Sequence, residues 1–301
     1  MTAPLLSRKK LLGYAIEGTM GTAESVTEAM PALVFEPVMR PMEVLTEERS
    51  PVGYLGRVKR APGLRRGELT FQVEIGEDGP FWRLAQICGY DRATGNVLTP
   101  TNGPNGDTAT FFLWEDGRVK KMRGCAGTFT IEGEVGGRLM ANFTVSGIWV
   151  EADDAAMPSW NVPSTLPYMV RNGTTTIGAS TMPQFASFTY TANANVVARV
   201  SPTDVSGIAH FVVTDRNPTL SLDPEARKVA DLDSYGLLVA GTQQAVVLKF
   251  PGQSTGYEFE INAPKAQRID ITPGDRDGKL TDAIELELQA DDGNDEVTIQ
   301  E

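Results

Sequence analysis

Apolar and polar residues alternate along much of this chain with the period of a β-strand. Leu69, Phe71, Val73 and Ile75 interleave with Thr70, Gln72 and Glu74, which predicts an extended segment with one buried and one wet face. The same period recurs at Phe129 and Ile131 within Thr128–Glu132, and at Phe143 and Val145 within Ala141–Ser146. It returns late in the chain, where Tyr257, Phe259 and Ile261 alternate with Glu258 and Glu260, and where Ile284, Leu286 and Leu288 surround Glu285 and Glu287. Gly136-Gly137 and Asp277-Gly278 tolerate the positive φ that tight hairpins need, so they mark turns between strands.

Two stretches break the alternation. Asp78-Gly79-Pro80, then Phe81, Leu84, Ala85 and Cys88, closed by Gly89, predicts a short helix with an aspartate cap, an early proline and a terminal glycine. Asp223-Pro224-Glu225 through Leu237-Leu238 to Gly241 predicts another of the same kind. Each helix follows an alternating strand and precedes further strands and a late hairpin, so the order of elements is the same in both halves. Laid over one another, Leu69 falls on Leu220 and Gly89 on Gly241. After an extra loop at Asp91–Asp107, Ala109–Leu113 falls on Ala245–Lys249, Thr128–Ile131 on Arg268–Ile271, and Gly136-Gly137-Arg138 on Asp275–Gly278. The expected organisation is an N-terminal β unit over residues 1–154, a Pro-, Ser-, Thr- and Gly-rich connection over 155–183, and a C-terminal β unit over 184–301.

Composition narrows the function. The chain has 301 residues, 41% of them hydrophobic, which is enough for a folded core and rules out disorder of the whole. No stretch approaches the roughly 18 to 20 uninterrupted apolar residues of a membrane span, and the start reads as neither leader nor anchor. Cys88 and Cys125 are too few for a disulfide framework, although one bridge between them stays open. The net charge of −12 is placed unevenly: residues 1–150 hold 17 basic and 17 acidic side chains, and the remaining 10 and 22 fall in residues 151–301. Clustered Lys and Arg are what grip a phosphate backbone, so this is a poor nucleic-acid binder, although an acidic surface serves DNA by refusing to hold it.

The residues offer little chemistry. The single histidine, His210, lies in a strand-like run before Phe211-Val212-Val213 and reads as a packed or surface residue. Cys88 at a helix end and Cys125 in a Gly-rich turn lack a CxxC partner and read as small core or loop residues. Asp275–Gly278 and Asp291–Asp295 could offer oxygen ligands to Ca²⁺, but neither completes EF-hand spacing, and hairpin tips explain them as well. The expectation is therefore no catalytic residue, no metal and no cofactor. One basic cluster stands out: Arg57, Lys59, Arg60, Arg65 and Arg66, between predicted strands and flanked by Gly53, Gly56, Pro62, Gly63 and Gly67. It reads either as a solvated loop or as a flexible segment that orders at an assembly contact.

The opening Arg8-Lys9-Lys10-Leu11-Leu12-Gly13-Tyr14-Ala15-Ile16-Glu17-Gly18-Thr19-Met20-Gly21-Thr22 resembles the N-terminal segment of tail tube proteins, the major tail proteins of siphovirus-like bacteriophages. The likeness continues through Phe35–Met39, Glu43–Arg49, Leu55-Gly56, Gly67–Ile75 and the Leu84–Gly89 helix end, and the second half resembles the family by repeating its architecture. The resemblance implies a mainly β protein of two tandem β-sandwich or barrel-like units, each with a flanking short α-helix. It also implies rings stacked into a tube that conducts the genome on ejection. A duplicated subunit makes a pseudo-hexameric ring from three chains, with a hexamer as the alternative. The implied partners are other copies of the chain and the tape measure, terminator and distal tail proteins; DNA only passes through the lumen, and no membrane is involved. The protein would reside in the virion after assembly in the host cytoplasm.

In that setting Arg57, Lys59, Arg60, Arg65 and Arg66 form an inter-ring contact loop. Glu258, Glu260, Glu285 and Glu287, each opposite an apolar strand face, are the candidate lumen carboxylates. Two rival readings remain: a distal tail or baseplate ring protein of the same fold, and a secreted carbohydrate- or calcium-binding β-sandwich.

Overall fold

The computed structural model of the chain describes residues 5–42, 53, 57, 59–101, 107–160, 166–182, 184–254 and 256–301. Two of the stretches named above, Glu43–Arg49 and Leu55-Gly56, lie outside the described residues. Within them the protein is mainly β, with nineteen strands and two short α-helices.

The first half contains β1 (Lys10–Ile16), β2 (Met30–Ala32), β3 (Val34–Met42), β4 (Arg66–Glu74), helix α1 (Phe81–Leu84), β5 (Tyr90–Ala93), β6 (Val97–Pro100), β7 (Ala109–Glu115), β8 (Arg118–Glu134) and β9 (Met140–Asp154). The second half contains β10 (Thr174–Ile177), β11 (Ser180–Thr181), β12 (Phe185–Thr191), β13 (Ala194–Val200), β14 (Ile208–Arg216) and β15 (Thr219–Pro224). Helix α2 (Ser234–Val239), β16 (Gln243–Pro251), β17 (Glu258–Arg276), β18 (Lys279–Gln289) and β19 (Thr298–Gln300) complete it. The alternation read at Glu68–Ile75 is seen in β4, where Leu69, Phe71 and Val73 are buried and their neighbours half-exposed.

The strand pairings recur. In the first half β1 pairs with β2 and β7, β7 with β8, β8 with β9, β9 with β4 and β4 with β3, all antiparallel. In the second half the same six pairings join β10 with β11 and β16, β16 with β17, β17 with β18, β18 with β15 and β15 with β12. Registers agree as well. The row Met39, Leu69, Val145, Gly127 across four strands has its counterpart in Tyr190, Leu220, Leu286, Arg268. Both β3 and β12 carry a bulge near their N-terminal ends.

The halves are joined edge to edge. β8 leaves β7 after Cys125, and its later residues Thr130–Glu134 pair antiparallel with Thr191–Ser187 of β12. The result is an unbroken run of eight strands in the order β3, β4, β9, β8, β12, β15, β18, β17. One hydrophobic core lies under the whole run, from Leu12 and Phe71 to Leu286 and Ile299. Its centre is aromatic: Phe71 stacks on Phe143 at 5.1 Å, and Phe129 meets Phe81, Tyr90, Phe143 and, across the join, Tyr190. The Tyr90 and Tyr190 hydroxyls hydrogen-bond to each other in the same place.

Several local expectations are corrected. Asp78 does not cap α1; its own backbone is left-handed (φ 51°), it accepts from Asn96 at 3.0 Å, and α1 passes into a 3-10 turn at Ala85–Cys88 before Gly89 ends it. Asp223 and Pro224 end β15 rather than begin a helix, because the Asp223 carboxylate is engaged by the Ala186 and Ser187 N–H groups and by Arg276. Only Ser234–Val239 is helical there, capped by Asp233 accepting from Gly236 N–H at 2.8 Å. The expected connection over 155–183 carries β10, which pairs with β16, and β11, which pairs with β10, and the extra loop at Asp91–Asp107 carries the hairpin β5–β6. Cys125 is in β8 rather than a turn, and both cysteines are buried and free.

Phe129 touches aromatic rings from both halves, so truncating it leaves a cavity at the join. Phe129→Ala is expected to cost about 3–5 kcal/mol and to lower the urea midpoint in one transition rather than two, as followed by tryptophan fluorescence and circular dichroism together.

Candidate functional site

The wet face of the eight-strand run shows where the charge asymmetry lies. In the first half two rows read Val38, Thr70, Thr144, Thr128 and Arg40, Glu68, Ser146, Ala126. The corresponding rows of the second half read Thr189, Ser221, Glu285, Asp270 and Thr191, Thr219, Glu287, Gln267. Small hydroxyl side chains in one half are thus matched by carboxylates in the other. Side chains at alternate positions share a face, so Glu285 and Glu287 stand side by side, with Glu287 accepting from Gln289 at 3.2 Å.

Glu258 and Glu260 lie on the stretch of β17 that pairs with β16 and β19. Both reach Lys249, at 3.1 and 2.8 Å, and their hydrogen bonds raise the lysine pKa. Glu260 is only 7% exposed and also accepts from Gln300 at 2.8 Å. The structure therefore brings the four glutamates together as two separate pairs, one neutralised by a lysine and one on open sheet.

The basic cluster is divided as well. Arg57, Lys59 and Arg60 are exposed in the connection between β3 and β4. Arg65 donates its backbone N–H to Ser206 O at 3.1 Å and lies 3.9 Å from Glu151, while Arg66 opens β4 with its guanidinium over the Phe211 ring. The last two belong to a contact that the sequence did not reveal.

That contact is the hairpin β13–β14, which occupies between β12 and β15 the place that the basic connection occupies between β3 and β4. It folds back on the first half, where Ile208 and Phe211 bury themselves against Ala126 and Ile148. An ion pair fastens its tip: the Arg123 guanidinium donates to both Asp204 oxygens, at 3.0 and 2.8 Å, and to Gly21 O. Ser206 adds its N–H and hydroxyl to Asp204, and these hydrogen bonds, with those from Arg123, hold its carboxyl down at about 2.

The seat for this hairpin is built by Glu17. Its buried carboxylate accepts from Gly21 N–H, Thr108 Oγ1, Thr110 Oγ1 and Gly124 N–H at 2.6–2.7 Å, so four donors satisfy it without a cation. Gly21 and Gly124 both have positive φ, and a Cβ on Gly21 would collide with the Ala209 carbonyl. His210 rests against this floor, 6% exposed, and burial lowers its pKa. The Ile16–Thr22 phrase is thus a structural device that joins β1, β7 and β8 under the hairpin.

Asp295 accepts the Asp291 and Asp292 N–H groups as a turn does, and among the described residues no three His, Cys, Asp or Glu side chains converge to hold a metal. The sequence matches the family described as phage tail tube protein over residues 7–290. No curated protein matches the chain.

The Asp204 clamp makes a pH-dependent contribution. Its folded pKa of about 2 lies below the ordinary 3.8, so the stabilisation is present above about 3.8 and is lost as pH falls through the folded value. The difference in thermal midpoint between wild type and Asp204→Asn is expected to be largest near neutral pH and to shrink between about pH 4 and pH 2. A constant difference over that range would contradict the assignment.

Proposed function

The chain belongs to the phage tail tube protein family, a structural component of the virion, and from that premise we propose that it polymerises into stacked rings whose bore conducts the genome on ejection. Each ring is built from three chains, and each chain supplies two similar units. One observation carries this reading: the eight-strand run begins at β3 and ends at β17, and among the described residues each of these strands is paired on one side only, β17 over its C-terminal stretch. Three such runs, set end to end around an axis, leave no sheet edge exposed. The recurrence of six pairings supports counting each chain twice in the ring.

The wet face of the run is the lining of the bore. Hydroxyl groups and carboxylates predominate on it, and Glu285 and Glu287 give it negative charge, which repels a duplex carrying one charge per about 1.7 Å of axis. Glu258 and Glu260, held by Lys249, add less to this charge. Arg57, Lys59 and Arg60 are exposed in sequence between β3 and β4, and they suit contact with the acidic surface of the next ring. Contacts with other tail proteins follow at the two ends of the tube.

Averaging of purified tubes by electron cryomicroscopy is expected to show three chains per ring, sixfold in outline only at low resolution. Six chains per ring, with one half of each facing the bore, would overturn the count. Replacing Arg57, Lys59 and Arg60 by Ser should leave a folded protein, since exposed charges add little stability, but should slow tube growth in light scattering by tenfold or more at low salt. Growth at the wild-type rate would remove the loop from the account.

A further inference from the structure

We propose that the chain binds a second copy of itself head to tail through its two free strand edges, β3 of one copy adding to the Ile271–Gly274 stretch of β17 in the other, in the register that β12 and β8 use inside the chain. The inference rests on the ring reading above and assigns the residues of its seam.

The internal join is the template. There Thr130 faces Thr191, Ile131 faces Tyr190 and Glu132 faces Thr189. Corresponding rows of the two halves place Thr272, Pro273 and Gly274 of β17 where Thr130, Ile131 and Glu132 stand in β8. They place Arg40, Met39 and Val38 of β3 where Thr191, Tyr190 and Thr189 stand in β12. The outer seam therefore pairs Arg40 with Thr272, Met39 with Pro273 and Val38 with Gly274. Among the described residues β3 pairs only with β4, and this stretch of β17 only with β18. Val38 is 51% exposed, and Arg40, Thr272, Pro273 and Gly274 are exposed too.

Helix coverage points to the same end of the molecule. Inside the chain, α1 beside the internal join buries Phe81, Trp82 and Leu84, with Trp82 against Phe259 of the second half. Its counterpart α2, beside the free stretch of β17, is more open: Val239 is 88% and Tyr235 46% exposed. A neighbouring first half would cover it as the second half covers α1.

The prolines fit this seam and limit it. In an antiparallel ladder alternate residue pairs exchange both of their hydrogen bonds, and the bonds Val135 N–H to Ala186 O and Ala192 N–H to Phe129 O put Ile131–Tyr190 and Phe129–Ala192 in that class. The outer counterparts are Pro273–Met39 and Ile271–Pro41. Each contains one proline and so keeps one bond of two. Proline is tolerated where its missing N–H would point off the edge of a sheet, so both prolines sit where the register requires the edge to be. The seam between chains is thus weaker than the seam within a chain, and free monomers are guarded against indiscriminate strand addition.

Disulfide trapping tests the register in the full chain, whose own cysteines are buried. Arg40→Cys with Thr272→Cys places two thiols at a pair of the closely approaching, non-hydrogen-bonded class. Oxidation of assembled tubes is expected to give covalent two-chain and three-chain species on non-reducing gels, while Val38→Cys with Thr272→Cys, two residues out of register, gives at least tenfold less. Tubes that form but trap equally, or trap only out of register, would overturn the seam and leave the ring reading standing. Failure of the wild-type chain to form rings at all would overturn both. Pro41→Ala and Pro273→Ala supply a second measurement that does not depend on cysteines: each restores a donor and is expected to slow tube disassembly severalfold in dilute urea. Disassembly at the wild-type rate in both variants would count against this edge.

Discussion

Every strand presents N–H and C=O groups along two edges, and buried ones must be paired. In this chain the strand that meets that constraint for both halves is β8. Over its first residues one edge is taken by β7, and beyond the bulge between Arg123 and Ala126 the same edge is taken by β12. The change of partner is what lets a sandwich-like first half open into a run that continues through the second. Glu17 and the positive-φ Gly124 stand at the point of change, which explains why a buried carboxylate with four donors is found there.

That geometry also explains the distribution of charge. The first half receives the hairpin β13–β14 on its wet face, and an apolar floor of Ala126 and Ile148 suits an apolar hairpin. The matching positions in the second half are Gln267 and Gln289, bordered by Asp270 and Glu287. Among the described residues, the carboxylates stand on the part of the sheet that receives no such hairpin. The separation of 17 balanced pairs from an excess of carboxylates is therefore a record of which surfaces the chain covers for itself.

Much of the β character was legible because burial of one sheet face writes a period of two into the sequence, as at Leu69–Ile75 and Ile284–Leu288. Helix ends were not, because Asp78 and Asp223 use their carboxylates on Asn96 and on the β12 backbone, partners far away in sequence. The length of β8 was hidden for a related reason: its first residues are basic and glycine-containing, and only pairing with β7 and β9 makes them a strand. The hairpin seat escaped notice because its signal is a single acidic residue whose donors come from β7 and β8. Nor could spacing alone divide the basic cluster between an open connection and the β4 end under Phe211.

The pairing of β6 with β19 has a bearing on biosynthesis. Leu98 meets Ile299, roughly two hundred residues later, and β8 waits for β12 in the same way. Contacts of such long range fold slowly, and synthesis delivers the N-terminal part first. For the time that a ribosome needs to add the second half, the first half stands with β6, α1 and the later residues of β8 unfinished. A nascent chain in that state lacks the partners that the second half brings, so an abandoned first-half fragment leaves its apolar surfaces uncovered.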